Sequence, residues 1–335
     1  MFLRVLVVDD SSFMRKIITK MIDSDPQLTV VGTAFDGVNA LERIEQLEPD
    51  VITLDVNMPR MDGLTTLKEV MKKNPIPVIM LSATTQEGAE ITFRALKLGA
   101  VDYIQKPSGQ ISLDIETVRN ELVNKIKTAA KANIVTHEDA TYAQLKTKQQ
   151  ITEKIITIGA STGGPPAIEE ILVHLPENTP PILIVQHMPV GFTSLFAKRL
   201  DRLCSFEVKE AQDGDEIKQG RAIIAQGGYH MTVTGDGRVQ LNSGPTKHGV
   251  KPAVDPMMKT IANVYQSQTI GVILTGMGRD GASGMKAIKE KGGKTIAQNE
   301  QTCTVYGMPK AAAETINIDK ILPLSKIPQQ LMKWC

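Results

Sequence analysis

Lys154–Gly164 reads KIITIGASTGG. Ile155, Ile156 and Ile158 predict a short buried strand, and Gly159-Ala160-Ser161-Thr162-Gly163-Gly164 then turns the chain sharply. Pro165-Pro166 follows, and Ala167–Leu172 reads as a helix, with proline tolerated in its first turn. A strand, a tight turn and a helix in succession make the repeating unit of an α/β sheet. Glycines flanking Ser161 allow a bend that leaves its hydroxyl at the sheet's carboxyl edge. Backbone N–H groups and a helix N-terminus that favours negative charge meet it there. The residues also fit the loose pattern G-x-S-x-G. Glycine-rich strand–helix turns equally bind phosphates or simply turn, and on this stretch alone the plain turn is the favoured reading.

Working outward, the 335 residues are enough for two domains, each with its own core. Hydrophobic residues at 41% and charged residues at 22% fit a globular protein in water. A net charge of +1 gives no bulk electrostatic case for nucleic acid or an anionic membrane. No apolar run approaches a membrane span, so the protein is not expected to insert in one. MFLRVLVVDD at the start runs straight into strand-like sequence, without the apolar region of a signal peptide. The three cysteines, Cys204, Cys303 and Cys335, lack metal-ligand spacing and read as reduced thiols, so a cytoplasmic location is expected.

The first part alternates short apolar strands (Phe2–Val8, Thr29–Ala34, Val51–Leu54, Val78–Leu81, Asp102–Gln105) with helical segments near Ser12–Ile22, Gly37–Leu47, Leu64–Lys72, Glu87–Leu98 and Leu113–Lys131. Five βα repeats predict an open, doubly wound sheet with its site at the carboxyl ends of the strands. Asp9-Asp10, Asp55, Ser82 and Lys106-Pro107 fall at those ends. Three carboxylates brought together repel one another unless a divalent cation such as Mg²⁺ lies among them. A lysine and a hydroxyl at the rim suit a phosphoryl group added to one carboxylate. Each aspartate taken singly also fits a helix N-cap or turn.

VVDD (Val7–Asp10), LDVNMPRMDG (Leu54–Gly63), LSA (Leu81–Ala83) and DYIQKP (Asp102–Pro107) together closely resemble the receiver domain of two-component response regulators. The resemblance covers residues 1–127 and implies a flavodoxin-like (βα)5 fold. It implies that Asp55 takes a phosphoryl group from a chemotaxis histidine kinase, with Mg²⁺ held by Asp9, Asp10, Asp55 and the Asn57 carbonyl. It further implies that Ser82 and Lys106 contact the phosphoryl group and that Tyr103 reports the switch. Asn57 also reads as a turn residue, and Tyr103 as plain core.

Residues 128–152 are polar, mixed in charge and without sustained periodicity, and read as a linker that extends the preceding helix. His137, beside Glu138 and Asp139, reads as solvated. The part from 153 to 335 is a second domain. After the Ser161 turn come the strand Ile182–Gln186 and a helix Phe192–Leu203, again βαβα. Short strands Glu207–Ala211, Arg221–Ala225, Tyr229–Thr234 and Arg238–Asn242 break the pattern, the last two joined as an antiparallel hairpin by Thr234-Gly235-Asp236-Gly237. A helix Asp255–Gln266, the strand Thr269–Thr275, a helix up to Lys291, the strand Lys294–Gln298 and helices at Pro309–Glu314 and Ile327–Lys333 complete a doubly wound, mostly parallel α/β domain.

Ser161, His187 and Asp280 each lie just past an apolar strand. Acyl transfer needs a hydroxyl, an imidazole to take its proton, a carboxylate to orient the imidazole, and backbone donors for the oxyanion. The order Ser…His…Asp differs from that of the α/β-hydrolases. Singly, His187 fits a core histidine and Asp280 an N-cap; the coincidence of all three favours catalysis. GASTGG (Gly159–Gly164), QHMP (Gln186–Pro189) and LTGMGRDG (Leu274–Gly281) resemble the chemotaxis protein-glutamate methylesterase domain, and the whole chain, the linker aside, resembles the CheB-type methylesterases. By that resemblance Ser161 is the nucleophile, His187 the acid and base and Asp280 its orienting partner. The Met277 N–H would be an oxyanion donor, with Thr162 beside the triad. Methyl-accepting chemoreceptors would be the substrates, glutamine deamidation a companion activity, and phosphorylation would shift the receiver off the esterase cleft.

Lys251-Pro252-Ala253 departs from the family's arginine-proline-serine pattern and puts a carboxylate or peptide contact there in doubt. His248, nearby, reads as a surface-turn histidine, with a place lining the substrate groove as the alternative. A binding module without chemistry and a DNA-binding regulator are the alternatives in other classes. The near-zero charge and the lack of a C-terminal helix-turn-helix weigh against the second.

Overall fold

A computed structural model describes residues 2–82, 85–106, 114–135 and 153–335. Ala83, Pro107, His137 and most of the predicted linker lie outside the described residues. The chain divides into two units, residues 1–138 and 139–335.

The first unit is built on five strands, β1 Leu3–Val8, β2 Leu28–Ala34, β3 Val51–Asp55, β4 Val78–Ser82 and β5 Asp102–Gln105, all parallel in the order β2-β1-β3-β4-β5. Every residue of β3 and β4 is buried, as expected of β-branched runs covered on both faces. Helices α1 Ser12–Asp23, α2 Gly37–Leu47, α3 Gly63–Lys73 and α4 Gln86–Lys97 follow the first four strands. Their starts are chemically fixed: Ser11, Asp36, Asp62 and Thr85 accept the N–H of Met14, Asn39, Thr65 and Gly88. Helix α5, Asp114–Ala129, packs beside α1, and Lys127 of α5 bonds Asp25 at 2.8 Å. Strand order reverses between β1 and β3, and ligand sites of open α/β sheets lie at such a reversal.

The second unit holds seven parallel strands: β6 Ile155–Ala160, β7 Ile182–Gln186, β8 Glu207–Glu210, β9 Arg221–Ile224, β12 Thr269–Ile273, β13 Lys294–Gln298 and β14 Lys320–Leu322. Their order is β14-β13-β12-β6-β7-β9-β8. The short strands β10 His230–Val233 and β11 Val239–Asn242 pair antiparallel as the expected hairpin. Strands β8 and β9, read from sequence as a break in the pattern, extend the parallel sheet. Helices α6 Gly164–Val173, α7 Phe192–Leu203, α8 Val254–Tyr265, α9 Ala282–Glu290, α10 Met308–Thr315 and α11 Ile327–Trp334 surround it. The core on one side joins Val254, Met257, Met258 and Ile261 of α8 to Met285 and Ile288 of α9 and to Met231, Val233 and Val239 of the hairpin. The chain runs outward from β6 through β7, then returns on the other side through β12. The reversal therefore lies at the carboxyl ends of β6 and β12, where the Ser161 turn begins. Among the described residues, no helix is long and apolar enough to cross a membrane.

Candidate active site and phosphoacceptor site

Pairing of parallel strands decides which strand-end residues become neighbours. Ala160 is in register with Gln186, and the His187 N–H donates to the Ala160 carbonyl at 3.1 Å, so Ser161 and His187 leave adjacent strands side by side. On the other flank the Ser161 N–H donates to Thr275 O at 3.0 Å, which fixes the turn to the end of β12. Gly276 packs directly on Ser161: a Cβ added there would lie 2.7 Å from the Ser161 Cβ. Met277, the next residue, has a side chain 48% exposed, so it is not part of the core. Thr162 is buried, and its carbonyl accepts the Thr275 hydroxyl at 2.9 Å.

The loop after β12 carries Asp280 back to the histidine. His187 Nε2 lies 2.8 Å from Asp280 Oδ2, both side chains being largely buried. The same oxygen accepts the Val254 N–H at 2.6 Å, while Oδ1 accepts those of Asp255 and Gly281, each at 3.0 Å. Val254 and Asp255 open α8, whose N-cap residue Ala253 has no capping side chain. Asp280 thus caps a helix distant in sequence, and that helix end in turn favours its negative charge. Burial raises the carboxyl's pKa, but hydrogen bonds from His187 and the α8 amides outweigh it and hold the group below its ordinary value. A charged carboxylate only accepts, so the His187 proton sits on Nε2 and Nδ1 is left as the acceptor.

Three features of this region escape sequence reasoning. Gln186, at the end of β7, donates from Nε2 to the carbonyls of both Ser161 and His187. His248 lies at the surface in a left-handed conformation (φ 54°), yet its Nε2 is 2.9 Å from Asp255 Oδ2 and 3.8 Å from Asp280 Oδ1. Lys251, where the sequence departs from the expected arginine, donates to the carbonyls of Ser243 and Gly244 at 3.2 Å. Its ammonium staples a loop, a job that needs no planar fork.

At the first unit's sheet edge, Asp9, Asp10 and Asp55 offer oxygens that all lie within 4.8 Å of one another. Asp9 and Asp55 are buried and Asp10 is exposed. Lys106 Nζ sits 2.7 Å from both Asp9 Oδ2 and Asp55 Oδ1. Three carboxylates against one ammonium leave a surplus of negative charge, and an all-oxygen donor set fits a hard dication such as Mg²⁺. Burial, aided by the Asp9 charge, raises the Asp55 pKa, and the Lys106 contact offsets only part of this. Burial lowers the Lys106 pKa, but both carboxylates more than reverse it, so the side chain stays an ammonium. The Asn57 N–H also bonds Asp55, while Asn57 itself is exposed. Ser82 is buried, accepting the Thr92 hydroxyl at 2.8 Å and donating to Gly88 O at 3.3 Å. Tyr103 is buried on β5, its carbonyl accepting Lys125 Nζ at 2.6 Å and its ring lying 5.1 Å from that nitrogen.

Residues 156–331 match the CheB methylesterase family, and residues 5–119 match the response regulator receiver domain. A protein-glutamate methylesterase/protein-glutamine glutaminase of Pyrococcus abyssi is 50% identical over 342 residues, covering 99% of this chain and 93% of that one. One of the same name from Symbiobacterium thermophilum is 46% identical over 349 residues, covering 99% and 96%. The crystal structure of the Thermotoga maritima CheB methylesterase catalytic domain is 44% identical, with a TM-score of 0.53, and covers 55% of this chain and all of that one (100%). A parallel sheet with the Ser161 turn at its reversal point, full-length relatives and a receiver domain ahead of it agree: the chain belongs to the CheB methylesterase family.

Proposed function

We propose that this protein is a phosphorylation-activated hydrolase that removes methyl esters from glutamate side chains of chemoreceptors in the cytoplasm. The observation that carries the reading is the 2.8 Å contact of His187 Nε2 with a carboxylate held by three backbone N–H groups, next to the Ser161 turn. Such a carboxylate fixes the imidazole's tautomer and stabilises the imidazolium formed during reaction.

In the proposed cycle His187 Nδ1 takes the Ser161 proton as Oγ attacks the ester carbonyl. The oxyanion is received by backbone donors, the Met277 N–H among them. The C–O bond to the methoxy group breaks, and His187 returns its proton so that methanol leaves. Water, deprotonated by the same nitrogen, then hydrolyses the acyl-enzyme to free glutamate and restores Ser161. A primary amide in the same position follows the same course and releases ammonia, which makes receptor glutamine a second substrate. Activation begins when Asp55 receives a phosphoryl group from a chemotaxis histidine kinase. Mg²⁺ held by Asp9, Asp10, Asp55 and the Asn57 carbonyl would supply neutralising charge to that group. Lys106 and Ser82 bind the phosphoryl oxygens, and Tyr103 shifts with them.

The test is methanol release from methylated receptor membranes, with and without a small phosphodonor plus Mg²⁺. Release that rises with the phosphodonor in the parent and not in Asp55→Asn is the expected result. Equal release under both conditions sinks the activation step; no release from folded protein sinks the esterase.

A further inference from the structure

We propose that Gln186 is a positioning residue that locks the nucleophile and the base to one another through a single amide group, an inference that rests on the esterase reading above. Gln186 is the last residue of β7 and only 3% exposed. Its Nε2 donates to the Ser161 carbonyl at 2.9 Å and to the His187 carbonyl at 3.1 Å. Both partners only accept, so the NH₂ group must face them and the orientation of the amide is unambiguous.

The cost of this arrangement lies at the other end of the amide. Oε1 is buried, and among the described residues no donor reaches it. A buried acceptor without a donor destabilises a fold, and a methionine of the same length would avoid the penalty. The amide is therefore retained for its two donors. Gly164 makes the matching space: a Cβ there would lie 2.0 Å from Oε1 and 3.0 Å from Cδ of Gln186, as well as 2.8 Å from the Ala160 Cβ.

Geometry explains what the two bonds do. The N–H groups of Ser161 and His187 are already anchored, to Thr275 O and Ala160 O. Each following peptide plane can still rotate and swing the side chain with it. Among the described residues the Ser161 carbonyl has one other anchor, the Gly164 N–H at 2.7 Å within its own turn. Gln186 ties both planes to one rigid group, which fixes Oγ relative to the imidazole. Misplacement of reacting groups by an ångström costs on the order of 10²-fold in rate.

The test uses the full chain and three readouts: the rate of phosphonylation of Ser161 by a serine-directed phosphonate, kcat and KM for methanol release, and the melting midpoint. Gln186→Met keeps the length and deletes both donors. Phosphonylation and kcat are expected to fall about 10²-fold, with KM within about twofold of the parent; the melting midpoint should move little, because relief of the unpaired Oε1 offsets the His187 carbonyl left without its donor. A structural role alone would lower the melting midpoint and leave kcat per folded molecule unchanged, which overturns the proposal. A parent that labels at Ser161 and releases methanol, beside an unimpaired Gln186→Met, overturns the positioning role and spares the esterase. A parent that does neither brings down the esterase reading and this proposal together.

Discussion

Asp280 illustrates how much one side chain can hold in place. Its two oxygens receive His187, Val254, Asp255 and Gly281, so one carboxylate orients the imidazole, caps α8 and closes its own loop. Asp280→Asn puts an NH₂ group where only acceptors fit. Esterase kcat should fall roughly 10⁴-fold, the scale of losing the proper histidine tautomer. Stability should drop by about 1–3 kcal/mol, because buried donors lose their acceptor. The pH dependence carries a sign. The folded pKa is depressed below the unfolded value, so the carboxylate's contribution is complete above about pH 4 and disappears as pH falls through the folded value. Melting midpoints of the parent and Asp280→Asn should therefore converge as the pH falls below about 4. A gap that stays constant down to pH 2 would show that the contribution does not come from the charged carboxylate.

Among elements, the loop from β3 to α3 ties Asp55, the proposed phosphoacceptor, to its helix. The Gly63 N–H donates to Val56 O at 2.9 Å, and a Cβ at residue 63 would lie 2.0 Å from the Asp55 carbonyl oxygen. The obstacle is backbone, which cannot swing aside as a side chain does. Gly63→Ala should cost the first unit about 1–3 kcal/mol and slow phosphoryl uptake by Asp55, read by melting and by the rate of phosphodonor consumption. Unchanged values for both would mean that the loop can shift freely. The same scale shows what the sequence makes legible. β3, β4, β6 and β7 announce themselves as short β-branched runs because they are buried on both faces, and the groups at their carboxyl ends follow from the α/β rule. Ser161, His187 and Asp280 could be collected as strand-end residues without any contact being known. The membership of β8 and β9 in the parallel sheet was not legible, since four residues carry too little periodicity to declare a direction. β14 has three residues and left no signal at all. The link from Asp280 to α8, and the grip of Gln186 on Ser161, join residues about 25 positions apart, and no local pattern encodes a hydrogen bond across that span.

Across the whole molecule, the two units draw on separate cores. One is built around Val5, Ile22, Ile79 and Leu122, the other around Met231, Val254, Met258 and Met285. Cores that share no residue can unfold independently, so calorimetry should resolve two transitions. The acidic cluster belongs to the first unit only, which gives the cation assignment a thermodynamic signature independent of catalysis. A ligand bound by the folded form alone stabilises it by RT ln(1 + [L]/Kd), about 1.4 kcal/mol at ten times Kd. For a unit of this size that is an upward shift of about 5 °C in one transition, with the other unmoved. Asp10 is exposed, and Arg15 bonds its carbonyl while leaving its carboxylate to the cluster. Asp10→Asn should therefore keep both transitions without Mg²⁺ and lose most of the shift with it. A shift in both transitions would place Mg²⁺ binding outside the cluster, and no shift at any concentration would remove Mg²⁺ from Asp9, Asp10 and Asp55. In that case the surplus of negative charge at this acidic edge would have to be balanced by Lys106 alone, whose ammonium already spans two of the three carboxylates.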